Sequence, residues 1–160
     1  MNLYARTMRK LSTTSAMRWT LSKVLTPLDI KLKGTRFAPS TLGMESPLCY
    51  LTTTGRKSGE QRTVPLLYVQ AEDAVAVAAT NFGQTNHPAW ALNLEDDPNA
   101  VLEIDGNTSS VVARSPDGHE SADLWSQFEA VWPGYREYRK IAPRDIKMFV
   151  LEAGDVPDET

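Results

Sequence analysis

The sequence holds one cysteine, Cys49, and two histidines, His87 and His119. A lone cysteine excludes an internal disulfide, and so few soft ligands exclude a structural zinc centre. No run approaches the roughly 18 consecutive apolar residues needed to span a bilayer. The first basic residues are followed by no continuous apolar stretch, so the N-terminus does not read as a secretory signal. Internal repeats and low-complexity linkers are missing from the body. At 160 residues and 41% hydrophobic content, the chain can bury on the order of 70% of its unfolded surface without staples.

Acidic side chains are nearly absent from the first quarter of the chain. Residues 1–43 carry eight basic side chains against one acid, Asp29, a net +7, while the remainder carries nine basic against nineteen acidic, a net −10. The overall charge of −3 hides this split. An acidic body argues against nucleic acid as a partner, because phosphate binding needs a basic face. In the arm, Met17, Leu21, Val24, Leu25 and Leu28 fall on one helical stripe, Arg18 and Lys23 lie off it, and Pro27 ends or bends the helix. The pattern fits a helix packed on the body. It fits equally a helix lying in a membrane interface, with Tyr4 and Trp19 suited to that boundary. The Ser, Thr and Arg content overlaps with that of a transit peptide as well.

The body, residues 44–153, reads as short strands. Leu48–Thr54 is β-branched and aromatic, and it ends at Gly55-Arg56-Lys57-Ser58-Gly59, a turn with glycines at both ends. Arg62–Val69 is the return strand, where Pro65 implies an edge or a bulge. Ala74–Thr80 is a third strand, followed by a polar loop and a short helix opened by His87-Pro88. Val101–Ile104 and Ser109–Ala113 form a hairpin around Asp105-Gly106-Asn107. Leu124, Phe128 and Val131 mark an amphipathic helix that stops at Trp132-Pro133-Gly134, and Ile146–Glu152 is a last strand. Residues 154–160, acidic and proline-containing, read as a frayed tail. Six strands linked mainly by hairpins predict an antiparallel sheet closing toward a barrel rather than βαβ units.

Three segments could carry chemistry. In the first, Arg56, Lys57 and Arg62 share one hairpin with the hydroxyls of Thr53, Thr54 and Ser58 and the amides around Gly55. The spacing is not that of a phosphate loop. The set suits an anion held by charge-assisted hydrogen bonds, or it is an ordinary solvated hairpin tip. In the second, Thr80-Asn81-Phe82-Gly83 leads to His87-Pro88-Ala89-Trp90, a polar loop feeding a helix N-terminus. There His87 reads as a cap or hydrogen-bond partner more readily than as a proton shuttle, and Trp90 as core. In the third, Tyr135 and Tyr138 share a face if their segment is helical. Their phenols can donate a proton or orient an oxygen, or they only pack.

Together these segments resemble the deazaflavin-dependent nitroreductase family of actinobacteria and their relatives. The resemblance is carried by Leu51–Gly59, by Arg62-Thr63-Val64-Pro65-Leu66-Leu67-Tyr68, by His87-Pro88-Ala89-Trp90 with Asn93-Leu94, and by Pro133-Gly134-Tyr135 with Tyr138. It runs from about Leu42 to Glu152. It implies an α+β fold, a mainly antiparallel split β-barrel of the FMN-binding split-barrel type with flanking helices and a basic N-terminal helix. It also implies coenzyme F-420, an 8-hydroxy-5-deazaflavin whose phosphodiester and oligoglutamate tail is polyanionic, in preference to FMN. By that resemblance Thr54, Gly55, Arg56, Lys57, Ser58 and Arg62 hold the tail. Pro65, Tyr68, Thr80, Asn81, His87 and Trp90 line the cofactor cleft. Tyr135 and Tyr138, with Thr80, are the candidates for chemistry on an electron-poor acceptor: a quinone, an activated alkene or a nitro compound. A cytoplasmic enzyme, peripheral on the inner face of the cell membrane through residues 1–43, follows from the same resemblance. Two positions depart from the family pattern: Phe82 stands where the first glycine of Asn-Gly-Gly is usual, and Thr80 replaces a serine. The alternatives are a non-catalytic binder of flavin, deazaflavin or lipid, and an FMN-dependent oxidoreductase on the same barrel.

Overall fold

The computed structural model describes residues 47–154. The basic arm, its helical stripe and the tail beyond Gly154 lie outside the described residues. Six strands form one closed barrel: β1 (Leu48–Thr54), β2 (Gln61–Ala71), β3 (Ala74–Ala78), β4 (Asn99–Ile104), β5 (Asn107–Arg114) and β6 (Met148–Ala153), in the order β1-β2-β3-β6-β5-β4. Three helices interrupt them: α1 (Ala89–Asp96), α2 (Gly118–Val131) and α3 (Gly134–Ile141), with a 3-10 turn at Asn81–Gly83. This is the antiparallel barrel expected from the strand pattern and the α+β split barrel that the resemblance implied, with a third helix where the sequence left the Tyr135–Lys140 segment open.

The alternation in the strands builds two cores. Cys49, Leu51, Val75, Val77, Phe149 and Leu151 point into the barrel. Val69, Ala76, Ala78, Met148 and Val150, on the opposite face of β2, β3 and β6, meet Leu124, Trp125 and Phe128 of α2 and Tyr135 of α3. Strand β3 is therefore buried on both faces, which is why Ala74–Ala78 reads as a continuous apolar run. Pro65 sits opposite Tyr50 in the β1–β2 ladder, while β3 joins β2 only from Tyr68 onward. The missing amide thus falls where β2 has a single neighbour, an edge within a closed barrel.

Every neighbouring pair is antiparallel. The ends of β1, β3 and β5 and the starts of β2, β4 and β6 consequently share one end of the barrel. The Gly55–Glu60 turn, the loop after β3, helix α1 and the connection from α3 to β6 all emerge there. Trp90, Ala91 and Leu94 of α1 belong to the interior cluster, so α1 plugs that end. Among the described residues no helix is long and apolar enough to cross a membrane. Gly154, placed in the tail by sequence, still donates its amide to Ser110 O at 3.0 Å.

Candidate functional site

The plugged end gathers the first two sequence-defined segments. The β1–β2 turn closes on itself: Gly55 donates to Glu60 O at 2.8 Å, and Ser58 and Gly59 donate to Gly55 O. A Cβ on Gly55 would lie 2.7 Å from Ser58 Oγ and 3.1 Å from Glu60 O, so only glycine allows this tight return. Arg56 and Lys57 project from the turn, both exposed, and among the described residues neither has an acidic partner. Arg62 is engaged within the turn, where Nη2 pairs with Glu60 Oε2 at 2.8 Å. Exposed pairs of this kind contribute at most about 1 kcal/mol, so an incoming anion can recruit Arg62.

The turn is anchored from below. Asn93 Nδ2 donates to Thr53 Oγ1 at 3.1 Å, and Asn93 Oδ1 accepts from the Arg56 amide at 3.2 Å. Thr53 and Asn93 are both buried. The sequence reading quoted both residues within motifs, but the link between them spans forty positions and no local pattern reports it.

The loop after β3 is the most distorted backbone in the described chain. Asn81 (φ 45°), Phe82 (φ 53°) and Gly83 (φ 70°) are consecutive left-handed residues. For non-glycine residues such states cost on the order of 1–3 kcal/mol each and persist only where surroundings enforce them. Phe82 sets its ring edge-on to Tyr138 at 6.0 Å. A Cβ on Gly83 would meet Ile141 Cγ1 at 2.6 Å, so α3 lies directly on the turn. Asn81 Nδ2 bridges the loop to Asn86 O at 2.8 Å. Strand β3 stops two residues earlier than the Ala74–Thr80 expected from sequence, because the carbonyls of Ala79 and Thr80 accept from Arg144.

Arg144, in the connection before β6, was not singled out by sequence reasoning. Its donors reach Gln84 O (3.1 Å), Ala79 O and Thr80 O (3.2 Å each), Asp145 O (3.2 Å) and His87 Nδ1 (3.1 Å). Burial and the nearby Arg144 and Lys147 hold the His87 pKa below its ordinary value, against the opposing pull of Glu95. His87 is thus a hydrogen-bond partner, the first of its two sequence readings. Lys147 in turn pairs with Glu95 of α1, tying the plug to the start of β6.

The remaining candidates are distributed as follows. Trp90 is buried inside the barrel, edge-on to Phe149 at 5.8 Å. Tyr68 is half-buried against the interior cluster, and burial followed by Asp105 and Cys49 raises its phenol pKa. Tyr135 stacks on Phe128 at 5.2 Å and packs edge-on to Trp125 and Tyr138 in the helix-facing core. Burial pushes its phenol far above the usual range. Both tyrosines are buried, and of the two only Tyr138 touches the loop after β3 through its ring.

A closed six-stranded antiparallel barrel plugged by a short helix, with a cationic turn and a strained polar loop at one end, defines the chain as a split barrel. The profile of the family described as F-420H(2)-dependent quinone reductase matches residues 33–153. The chain belongs to that family, is an oxidoreductase, and uses coenzyme F-420. An F-420H(2)-dependent quinone reductase of Mycobacterium tuberculosis is 30% identical over 108 residues, which cover 66% of this chain and 72% of the relative. The solved structure of an F-420-H2-dependent reductase superposes with a TM-score of 0.61 at 32% identity, covering 66% of this chain and 94% of the other. A heme-binding protein from Mycobacterium smegmatis shares the fold alone, with a TM-score of 0.55 at 19% identity over 68% of this chain and 46% of the other.

Proposed function

We propose that the plugged end of the barrel binds reduced F-420 and passes its reducing equivalents to a quinone-like acceptor. The observation that carries this reading is the pair of exposed cations, Arg56 and Lys57, without acidic partners among the described residues, in a body of net negative charge. Their turn offers the donor set that a phosphodiester and a glutamate tail require: two exposed cations, a third weakly held on Glu60, and the Thr54 and Ser58 hydroxyls. The residues present therefore fit the cofactor.

In this reading Arg56, Lys57 and Arg62 hold the anionic tail, and Asn93 keeps the turn in place beneath it. Thr80, Asn81 and His87, with Pro65 and Tyr68, form the wall for the ring system, and Trp90, buried inside the barrel, backs that wall rather than lining it. When bound, the reduced deazaflavin supplies a hydride from its carbon 5, and the protein contributes orientation and electrostatics. Tyr138 orients the acceptor oxygen or gives it a proton, supported by its contact with Phe82. Tyr135 backs Tyr138 from the core, 6.2 Å away between ring centroids. The arm of residues 1–43, with its net +7, brings a cytoplasmic enzyme to the anionic inner face of the cell membrane, where lipid quinones reside.

Mixing the purified protein with reduced F-420 and menadione tests the reading. Oxidation of the cofactor well above the uncatalysed background is expected. No acceleration together with no cofactor binding would refute it.

A further inference from the structure

We propose that Arg144 is the positioning residue of this site: its guanidinium clamps the loop from Thr80 to His87 in a left-handed conformation and fixes His87 as a neutral imidazole that donates through Nε2. The inference rests on the reading that this loop lines the cofactor, and it concerns residues of the chain itself.

Three observations converge on Arg144. First, Asn81, Phe82 and Gly83 all have positive φ, a state that a bulky side chain such as Phe82 does not adopt without restraint. Second, the carbonyls that flank this triplet, Ala79 O and Thr80 O on one side and Gln84 O on the other, all accept from the same guanidinium. Arg144 therefore stitches the loop across its strained part, which a single point charge with three donors cannot reproduce. Among the described residues no carboxylate pairs with it, so its donors serve backbone carbonyls and one ring.

The third observation concerns that ring. Guanidinium nitrogens are donors only, so His87 Nδ1, 3.1 Å from Arg144 Nη1, must be the acceptor. Its proton is then on Nε2, and the ring is uncharged. The charged groups facing it are Arg144 and Lys147, from the connection before β6, and Glu95 from α1. Lys147 and Glu95 are paired to one another, which leaves Arg144 as the uncompensated charge beside the ring.

The chain's two histidines make the test direct. Two-bond proton–nitrogen spectra of the labelled protein without cofactor report the tautomer and titration of each ring, with the exposed His119 as internal reference. His87 is expected as the Nε2–H form, with a midpoint below the ordinary imidazole value of about 6.5. In Arg144→Gln its midpoint moves up toward the ordinary imidazole value of about 6.5, and F-420, followed by fluorescence quenching, binds at least tenfold more weakly. Adding Phe82→Gly to Arg144→Gln recovers part of that affinity, because glycine accepts positive φ without the clamp. A wild-type His87 that carries its proton on Nδ1, or that titrates at or above about 6.5, overturns the proposal even if the variant does not fold. Unchanged F-420 affinity in Arg144→Gln also overturns it. If wild-type protein fails to bind F-420 while the ring spectra behave as described, the cofactor reading falls and the clamp stands.

Discussion

Asn93 of α1 donates to Thr53 at the end of β1, 3.1 Å away, and both side chains are buried. With its carbonyl on the Arg56 amide, Asn93 makes the barrel plug and the cationic turn one unit. Asn93→Ala leaves the Arg56 amide and the Thr53 hydroxyl without these partners. The expected loss is about 1–3 kcal/mol, read from urea denaturation as a lower midpoint at unchanged slope. Weaker F-420 binding should accompany it, since the turn loses its anchor.

Two tyrosines three residues apart have different surroundings, and their variants should separate. Tyr138→Phe keeps the ring against Phe82 but removes the hydroxyl. We expect turnover with a quinone to fall about 100-fold, the low end of the range for a lost general acid, with cofactor affinity unchanged. Tyr135→Ala removes a ring stacked on Phe128 in the helix-facing core. It should cost about 3–5 kcal/mol of stability, seen by thermal unfolding.

Stability should fall as pH drops from 7 toward 5. The folded-state pKa of His87 is depressed by burial and by Arg144, so between the unfolded value near 6.5 and the lower folded value the unfolded chain binds the extra proton. The contribution is complete above the unfolded pKa and declines as pH falls through the folded one. His87→Gln, which retains an acceptor for Arg144, should flatten this part of the pH profile of the melting temperature. A further decline at more acidic pH belongs to Asp117 and Glu120. The backbone amides capped by Asp117, and Arg114 beside Glu120, hold their pKa values down.

Burial pushes the Cys49 thiol up to about 12, and the residue is sealed within the barrel. At neutral pH a thiol reagent should therefore modify the native protein only at the rate of barrel opening, and rapidly in denaturant.

Much of this was legible in the sequence because the signals are local. Alternation in Leu48–Thr54, the glycine-bounded turn and the Asp105-Gly106-Asn107 hairpin each report their own geometry. So does the apolar spacing of Leu124, Phe128 and Val131, which fall in the helix and core where they were expected. Arg144 escaped because its partners in the loop and at His87 lie 57 to 65 positions away and are mostly backbone carbonyls, which carry no sequence signature. Ring closure into a barrel was foreseeable from the hairpins, whereas the burial of Tyr135 depended on α3 folding back against α2. The family resemblance placed the cations and the loop at one site; antiparallel register explains why they share an end.

The central claim is that the turn carrying Arg56 and Lys57 holds an anionic deazaflavin tail. Parallel equilibrium titrations with F-420 and FMN, of wild-type protein and of Arg56→Ala/Lys57→Ala, test it most directly. The account predicts tighter binding of F-420 than of FMN. The double variant should lose F-420 affinity by roughly 100-fold, about 1.4 kcal/mol for each charge-assisted contact, and rising salt should weaken the wild type toward it. Preference for FMN, or a double variant that binds F-420 as tightly as wild type, would contradict it.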